Sequence, residues 1–158
     1  MIPERHQASA DEDTRVWRKM QQGCSFFVSQ TVWSVDATKR LLGDLQLRAN
    51  AEGAAMPPIL LTFSPCGSPR TLEFLEWLGV AVPAPVKRQL LSANDMLAHS
   101  IDLATQAFAE IRAFAAVQGI TVGCNVESVS SRADELAASV ELVRRIDHLT
   151  SSVSMPHS

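Results

Sequence analysis

The sequence has no dense run of lysine or arginine, no uninterrupted apolar stretch of membrane-spanning length and no Cys-x-x-Cys pair. The first absence removes the electrostatic footprint of a nucleic-acid binder, in keeping with a formal net charge of −3. The second leaves no candidate transmembrane helix. The opening Met-Ile-Pro-Glu-Arg-His lacks the charged and apolar regions of a signal peptide, so the expected location is cytoplasmic. The cysteines (Cys24, Cys66, Cys124) are odd in number and widely spaced, and the histidines (His6, His99, His148, His157) form no i,i+4 pair. Neither set has the spacing of a metal site, so no metal is expected. Each cysteine lies beside or within a predicted strand, where a reduced thiol packs as a small apolar group.

What remains is a chain of 158 residues, 46% hydrophobic and 20% charged, the balance of a soluble globular domain. It is long enough for one domain with a core, expected over residues 1–149, followed by a disordered polar tail at 150–158. Three short apolar runs read as strands, at about 25–30, 59–63 and 120–125, each set between helix-like segments. Met1 to Ala10 reads as a loop. Ser9 and Glu12 have the spacing of a capping box opening a helix on which Val16, Trp17 and Met20 share a face, with Gly23 as its stop. Ser34 opens a second helix, and Arg48 to Pro58 reads as a connection rich in helix breakers. Ser68 caps a third helix, with Pro69 in its first turn and Leu72, Leu75 and Leu78 as its buried face.

A short helix near Val86–Leu91 precedes the longest one, about Asn94 to Gln118. On that helix Leu97, Ile101, Ala104, Phe108, Ile111 and Ala115 form a continuous stripe. The last helix carries Leu136, Val140 and Val143 as its apolar side. The order α-β-α-β-α-α-α-β-α implies an α/β fold with a parallel sheet and right-handed crossovers. Three parallel strands leave two open edges, so either another chain completes the sheet or these strands belong to a larger fold; the second is expected.

In parallel sheets chemistry collects at the carboxyl ends of the strands, and Gln30 stands at the end of the first. Taken alone, Gln30 reads as a polar residue leaving a strand. Around it, Gln21 to Gln30 resembles the helix, small-residue turn, apolar strand and Thr-Gln segment of methylenetetrahydrofolate reductases. Ile59–Phe63 with Pro65–Gly67, Leu78–Pro83 and Gly119–Asn125 resemble later segments of that family in the same order. Pro65–Ser68, Trp77–Gly79 and Asn125–Ser130 resemble a divergent branch of reductase-like proteins.

The resemblance spans nearly all of Ile2 to Ile146. It implies the C-terminal part of a (β/α)8 TIM barrel, strands six to eight, with Ile2–His6 as the loop after strand five. A complete barrel typically takes roughly 250 residues.

By that resemblance the protein is a flavoprotein of one-carbon metabolism. It would use FAD, and NAD(P)H as electron donor, to reduce methylenetetrahydrofolate to methyltetrahydrofolate. The alternative is a non-catalytic folate-binding or scaffolding module retained from such a barrel. Gln30, Ser29 and Asn125 fall at substrate positions, with Ser29 where the common branch has threonine. His6, Glu12 and Lys19 fall near flavin positions. On residue chemistry alone Lys19 is equally a solvated lysine and Glu12 a capping acid, and Glu127, at the mouth of the last strand, reads as a solvated carboxylate. No residue is assigned as catalytic; Cys66 has no evident base to activate it. Trp33 and Trp77 read as packing residues. Gly123 and Cys124 are small where the common branch carries aromatic side chains. The expected partners are a folate-type small molecule and either a second copy or a complementing N-terminal half.

Overall fold

A computed structural model describes residues 1–151. Its elements run α1 (Pro3–Ser9), α2 (Glu12–Gln21), β1 (Phe27–Thr31), α3 (Val35–Ala51), β2 (Ile59–Phe63), α4 (Pro69–Trp77), α5 (Ala84–Ser92), α6 (Met96–Gln118), β3 (Val122–Val126) and α7 (Ala133–Ser151). The strands form one parallel sheet in the order β1-β2-β3.

Alternation along the strands divides the sheet into two faces. Phe27, Ile59, Leu61 and Phe63 share one core with Leu41, Leu42 and Leu45 of α3, Phe108 and Ile111 of α6, and Leu142 and Ile146 of α7. On the opposite face Val28 is 39% exposed, Leu60 is half-buried and Gly123 presents no side chain. A Cβ on Gly123 would come within 2.7 Å of Leu60 Cδ2, so glycine lets this face lie close. A second, smaller core under α4 and α5 gathers Cys66, Leu72, Leu75, Val80 and Leu90.

Several expectations are corrected. β1 begins two residues later than the apolar run at 25–30, because Phe26 turns outward and ladder pairing starts at Phe27. β3 is shifted likewise, to Val122–Val126 from 120–125. Residues 3–9 are helical rather than a loop: Pro3 pre-sets the first turn, and His6 anchors the helix to Asp44 of α3. Ser9 therefore closes α1 instead of capping α2. Its hydroxyl donates to the Arg5 carbonyl and contacts Asp11, which takes the N-cap position without a side-chain cap bond. α3 continues through Ala51 into the expected connection, burying Ala49. Cys24 is exposed.

On α4 the buried residues are Thr71, Leu72 and Leu75, while Leu78 emerges past the helix end. Trp77 is also exposed, stacked on Phe74 with ring centroids 5.6 Å apart. On α7 the expected side faces solvent: Leu136, Val140 and Val143 are exposed, and Glu135, Ala138, Leu142 and Ile146 are buried. Of the expected tail at 150–158, Thr150 and Ser151 end α7, and 152–158 lie outside the described residues. The α6 stripe and the Ser34 and Ser68 caps are as expected, each hydroxyl accepting from the N–H three residues on.

Candidate functional site

β1 carries a bulge. Its register to β2 changes between Val28 and Thr31, so Phe27 lies beside Ile59 and Val28 beside Leu60, but Thr31 lies beside Thr62. An extra residue interrupts the ladder, and side chains must serve the exposed backbone groups. Ser29 does so: its buried hydroxyl accepts the Thr62 N–H at 2.9 Å, and Thr62 Oγ1 donates to the Ser29 carbonyl at 2.6 Å. A side chain with a short hydroxyl is what this exchange requires.

The chain of bonds continues across the sheet. With its hydrogen committed to Ser29, Thr62 Oγ1 accepts from Asn125 Nδ2 at 3.2 Å, and the same Nδ2 donates to Glu127 Oε1 at 2.8 Å. Both amide hydrogens are thereby used, which fixes the orientation of Asn125 and leaves Oδ1 as an acceptor. Thr31, Thr62 and Asn125 occupy one lateral row near the carboxyl ends of three strands, roughly 10 Å wide at two strand spacings. Gln30 sits at the β1 end of this row. Its backbone N–H donates to the Met1 carbonyl at 2.8 Å, and the Met1 amine donates to Val28 O, the alternation of a parallel ladder. The half-buried Gln30 side chain has no hydrogen-bond partner among the described residues.

The three residues expected at the flavin sit in different surroundings. His6 is buried, with Nε2 2.8 Å from Asp44 Oδ2 and Nδ1 3.9 Å from Asp13, itself held by Arg48. Glu12 is buried and accepts from the Ile2 N–H and Arg5. Lys19 is exposed on α2. His6 and Glu12 are thereby engaged in docking α1 onto its neighbours.

Three further groups that shape the site are not evident from the sequence. Thr62 links the row; its only signal is a hydroxyl inside an apolar run. Glu4 reaches from α1 to the loop after β1, where Oε1 accepts the N–H groups of Trp33 and Ser34 at 3.2 and 3.3 Å. Desolvation by burial holds its carboxyl above the usual range, opposed by those hydrogen bonds. Glu135, fully buried on α7, accepts from the Gly67 N–H at 2.9 Å and Thr71 Oγ1 at 2.7 Å, fixing the loop after β2. Gly67 is required there, because a Cβ would meet Glu135 Oε1 at 2.9 Å.

Burial pushes the Cys66 and Cys124 thiols up to about 12, so neither is a thiolate nucleophile at neutral pH. No group of His, Cys, Asp and Glu among the described residues could hold a metal ion. No described helix is long and apolar enough to cross a membrane.

No protein-family model and no curated protein matches the chain. Among solved structures, the chain is similar to an uncharacterized protein from Clostridium thermocellum that binds two copies of 5-methyl-5,6,7,8-tetrahydrofolic acid. The TM-score is 0.86 and the identity 39%, over 95% of this chain and 52% of that one. The chain thus spans about half the length of the protein it matches.

Proposed function

We propose that this chain is a folate-binding module whose pterin site is the polar row at the carboxyl ends of β1, β2 and β3. The similarity to a protein that binds 5-methyltetrahydrofolate carries this reading, and the row supplies a chemical basis for it. A pterin edge alternates hydrogen-bond donors and acceptors. Gln30 offers both kinds of group, while Asn125 Oδ1 and the Glu127 carboxylate offer acceptors for amino and ring N–H groups. Ser29 and Thr62 act by positioning, since their hydroxyls are consumed within the sheet. The open sheet face supports placing these strands within a larger (β/α)8 barrel, with further strands supplied by additional chain or a partner.

Titration of the purified chain with 5-methyltetrahydrofolate tests the proposal. Saturable binding is expected, with 5-methyltetrahydrofolate competed by other reduced folates. Absence of binding at millimolar ligand overturns it.

A second reading is favoured by the identity of that ligand, the product expected from methylenetetrahydrofolate reduction. In it the completed barrel binds FAD, largely through the added strands, draws electrons from NAD(P)H and reduces the methylene folate. The chemistry would be the flavin's, and this chain's share would be to bind and orient the pterin. A flavin absorption band that bleaches with NAD(P)H and recovers with methylenetetrahydrofolate would distinguish this reading from simple binding.

A further inference from the structure

The two edges of the sheet are finished differently. At the β1 edge Met1 pairs with Val28 and Gln30. At the β3 edge the Thr121 carbonyl and the Glu127 N–H bond to β2, so the alternation of a parallel ladder turns the N–H and C=O groups of Val122, Cys124 and Val126 outward. Among the described residues no strand lies beyond them. The helix layer ends on the same side. α6 is bonded to α3 through Lys39 and Glu110 on one flank, and to α7 through Arg145 with Asp102 and Arg112 with the Leu149 carbonyl on the other. α7 is therefore outermost. Its flank away from α6 carries a line of side chains at helical spacing, Arg132, Leu136, Val140, Val143 and Asp147, with Arg132 at the helix start, where its carbonyl accepts the Leu136 N–H. The three apolar members are about half exposed, and opposite charges stand exposed at the two ends.

We infer that the β3 edge and the outer flank of α7 form a twofold interface with a second copy of this chain. The line on α7 is complementary to itself when reversed. A twofold axis near Val140 sets Leu136 beside Val143 of the second copy and Arg132 beside its Asp147. Arg132 bonds Asp134 within the chain, and both side chains are exposed, so the guanidinium can be shared across the axis. The strand edge is self-complementary in the same sense: antiparallel pairing about Cys124 lets the outward groups of Val122, Cys124 and Val126 satisfy those of the other copy. One axis normal to the sheet serves both layers, bringing strands to roughly 4.8 Å and helices to roughly 8–10 Å. The end charges select this occupant and this direction, because a parallel approach would set arginine against arginine and aspartate against aspartate. The inference stands independently of the folate reading, and the strands added at this edge come from the second copy.

The test is sedimentation velocity of the purified chain from micromolar to millimolar concentration, with circular dichroism of every variant. Wild type should pass from monomer to dimer and stop at two copies. Val140→Lys alters an exposed position, so the fold should be kept, while the dimer weakens by about a hundredfold as two lysines meet near the axis. Arg132→Glu and Asp147→Arg should each weaken it by about tenfold, and the double reversal should return it close to wild type. That rescue distinguishes contact between copies from a role within one chain, and it decides the matter if Val140→Lys fails to fold. Amide exchange at Val122, Cys124 and Val126 should slow as the dimer forms. A monomer at every concentration would overturn the inference, as would a dimer indifferent to both Val140→Lys and the charge reversals. Growth beyond two copies would replace the twofold interface with an open head-to-tail one. A chain that stays monomeric, yet pairs one to one with a separately expressed segment from the unmatched part of the Clostridium thermocellum protein, would give the edge to a different strand and helix and overturn self-pairing.

Discussion

The two faces of the sheet are built on different terms. On the helix side, Phe27, Ile59, Leu61 and Phe63 meet α3, α6 and α7 in a continuous apolar core. On the other side, Val28 and Leu60 remain partly open, and toward the strand ends hydroxyl and amide groups replace aliphatic ones. Parallel sheets normally have both faces covered, so the open face is the one with binding capacity to spare. If the proposed reading holds, one face serves stability and the other recognition, and substitutions on each should separate cleanly.

The largest effect should come from the covered face. Leu61→Ala deletes a fully buried side chain and should cost about 2–5 kcal/mol, read by chemical denaturation. Leu60→Ala, the adjacent residue on the open face, should cost under about 1 kcal/mol, since part of its surface remains open to water in the fold. Comparable losses at the two positions would break the distinction. Glu135→Ala removes the buried acceptor for Gly67 and Thr71 and should cost about 2–3 kcal/mol, with faster amide exchange in the loop after β2.

A smaller effect should appear at Glu4. Burial raises its carboxyl above the ordinary glutamate value, so the folded protein holds this proton more tightly than the unfolded chain. Stability from this group is fully present below the unfolded value and is lost as pH rises through the folded one. Glu4→Gln removes that dependence. The melting temperature of the variant relative to wild type should therefore rise as pH increases through and above the ordinary glutamate range; a difference that stays flat would show that burial does not penalise the charged carboxylate.

The contrast between faces also explains what could be seen in the sequence. The core-facing stripe of α6 is legible because it runs the length of that helix and is flanked by polar residues such as Asp102, Gln106 and Arg112. α7 carries two apolar stripes. Leu136, Val140 and Val143 have the larger residues early in the helix, yet the core receives Ala138, Leu142 and Ile146, because the same face brings Glu135 to Gly67. A buried glutamate is invisible to a reading that places acids in water. α1 has no apolar repeat to announce it, since tertiary bonds from His6 and Glu12 hold it in place.

Of the candidate site, Gln30 and Asn125 were legible as polar residues at strand ends. Their connection through Thr62 was not, because it depends on a bulge whose pairing partner is distant in sequence. Ser29 was legible as a hydroxyl, while its service to the Thr62 N–H emerges only with the register.

The most direct test of recognition at the strand ends is a 5-methyltetrahydrofolate titration of wild type, Gln30→Ala and Gln30→Glu, with the melting temperature of each measured in parallel. Removing an amide matched to a ligand group costs about 1–3 kcal/mol, so Gln30→Ala should weaken binding at the row by roughly ten- to a hundredfold. Gln30→Glu should be weaker still at pH 7, since a carboxylate accepts but cannot donate. Both variants should melt close to wild type, as the side chain has no partner among the described residues to lose. Equal affinities across the three proteins, or a collapse in the melting temperature of Gln30→Ala, would contradict the assignment of recognition to the strand-end row.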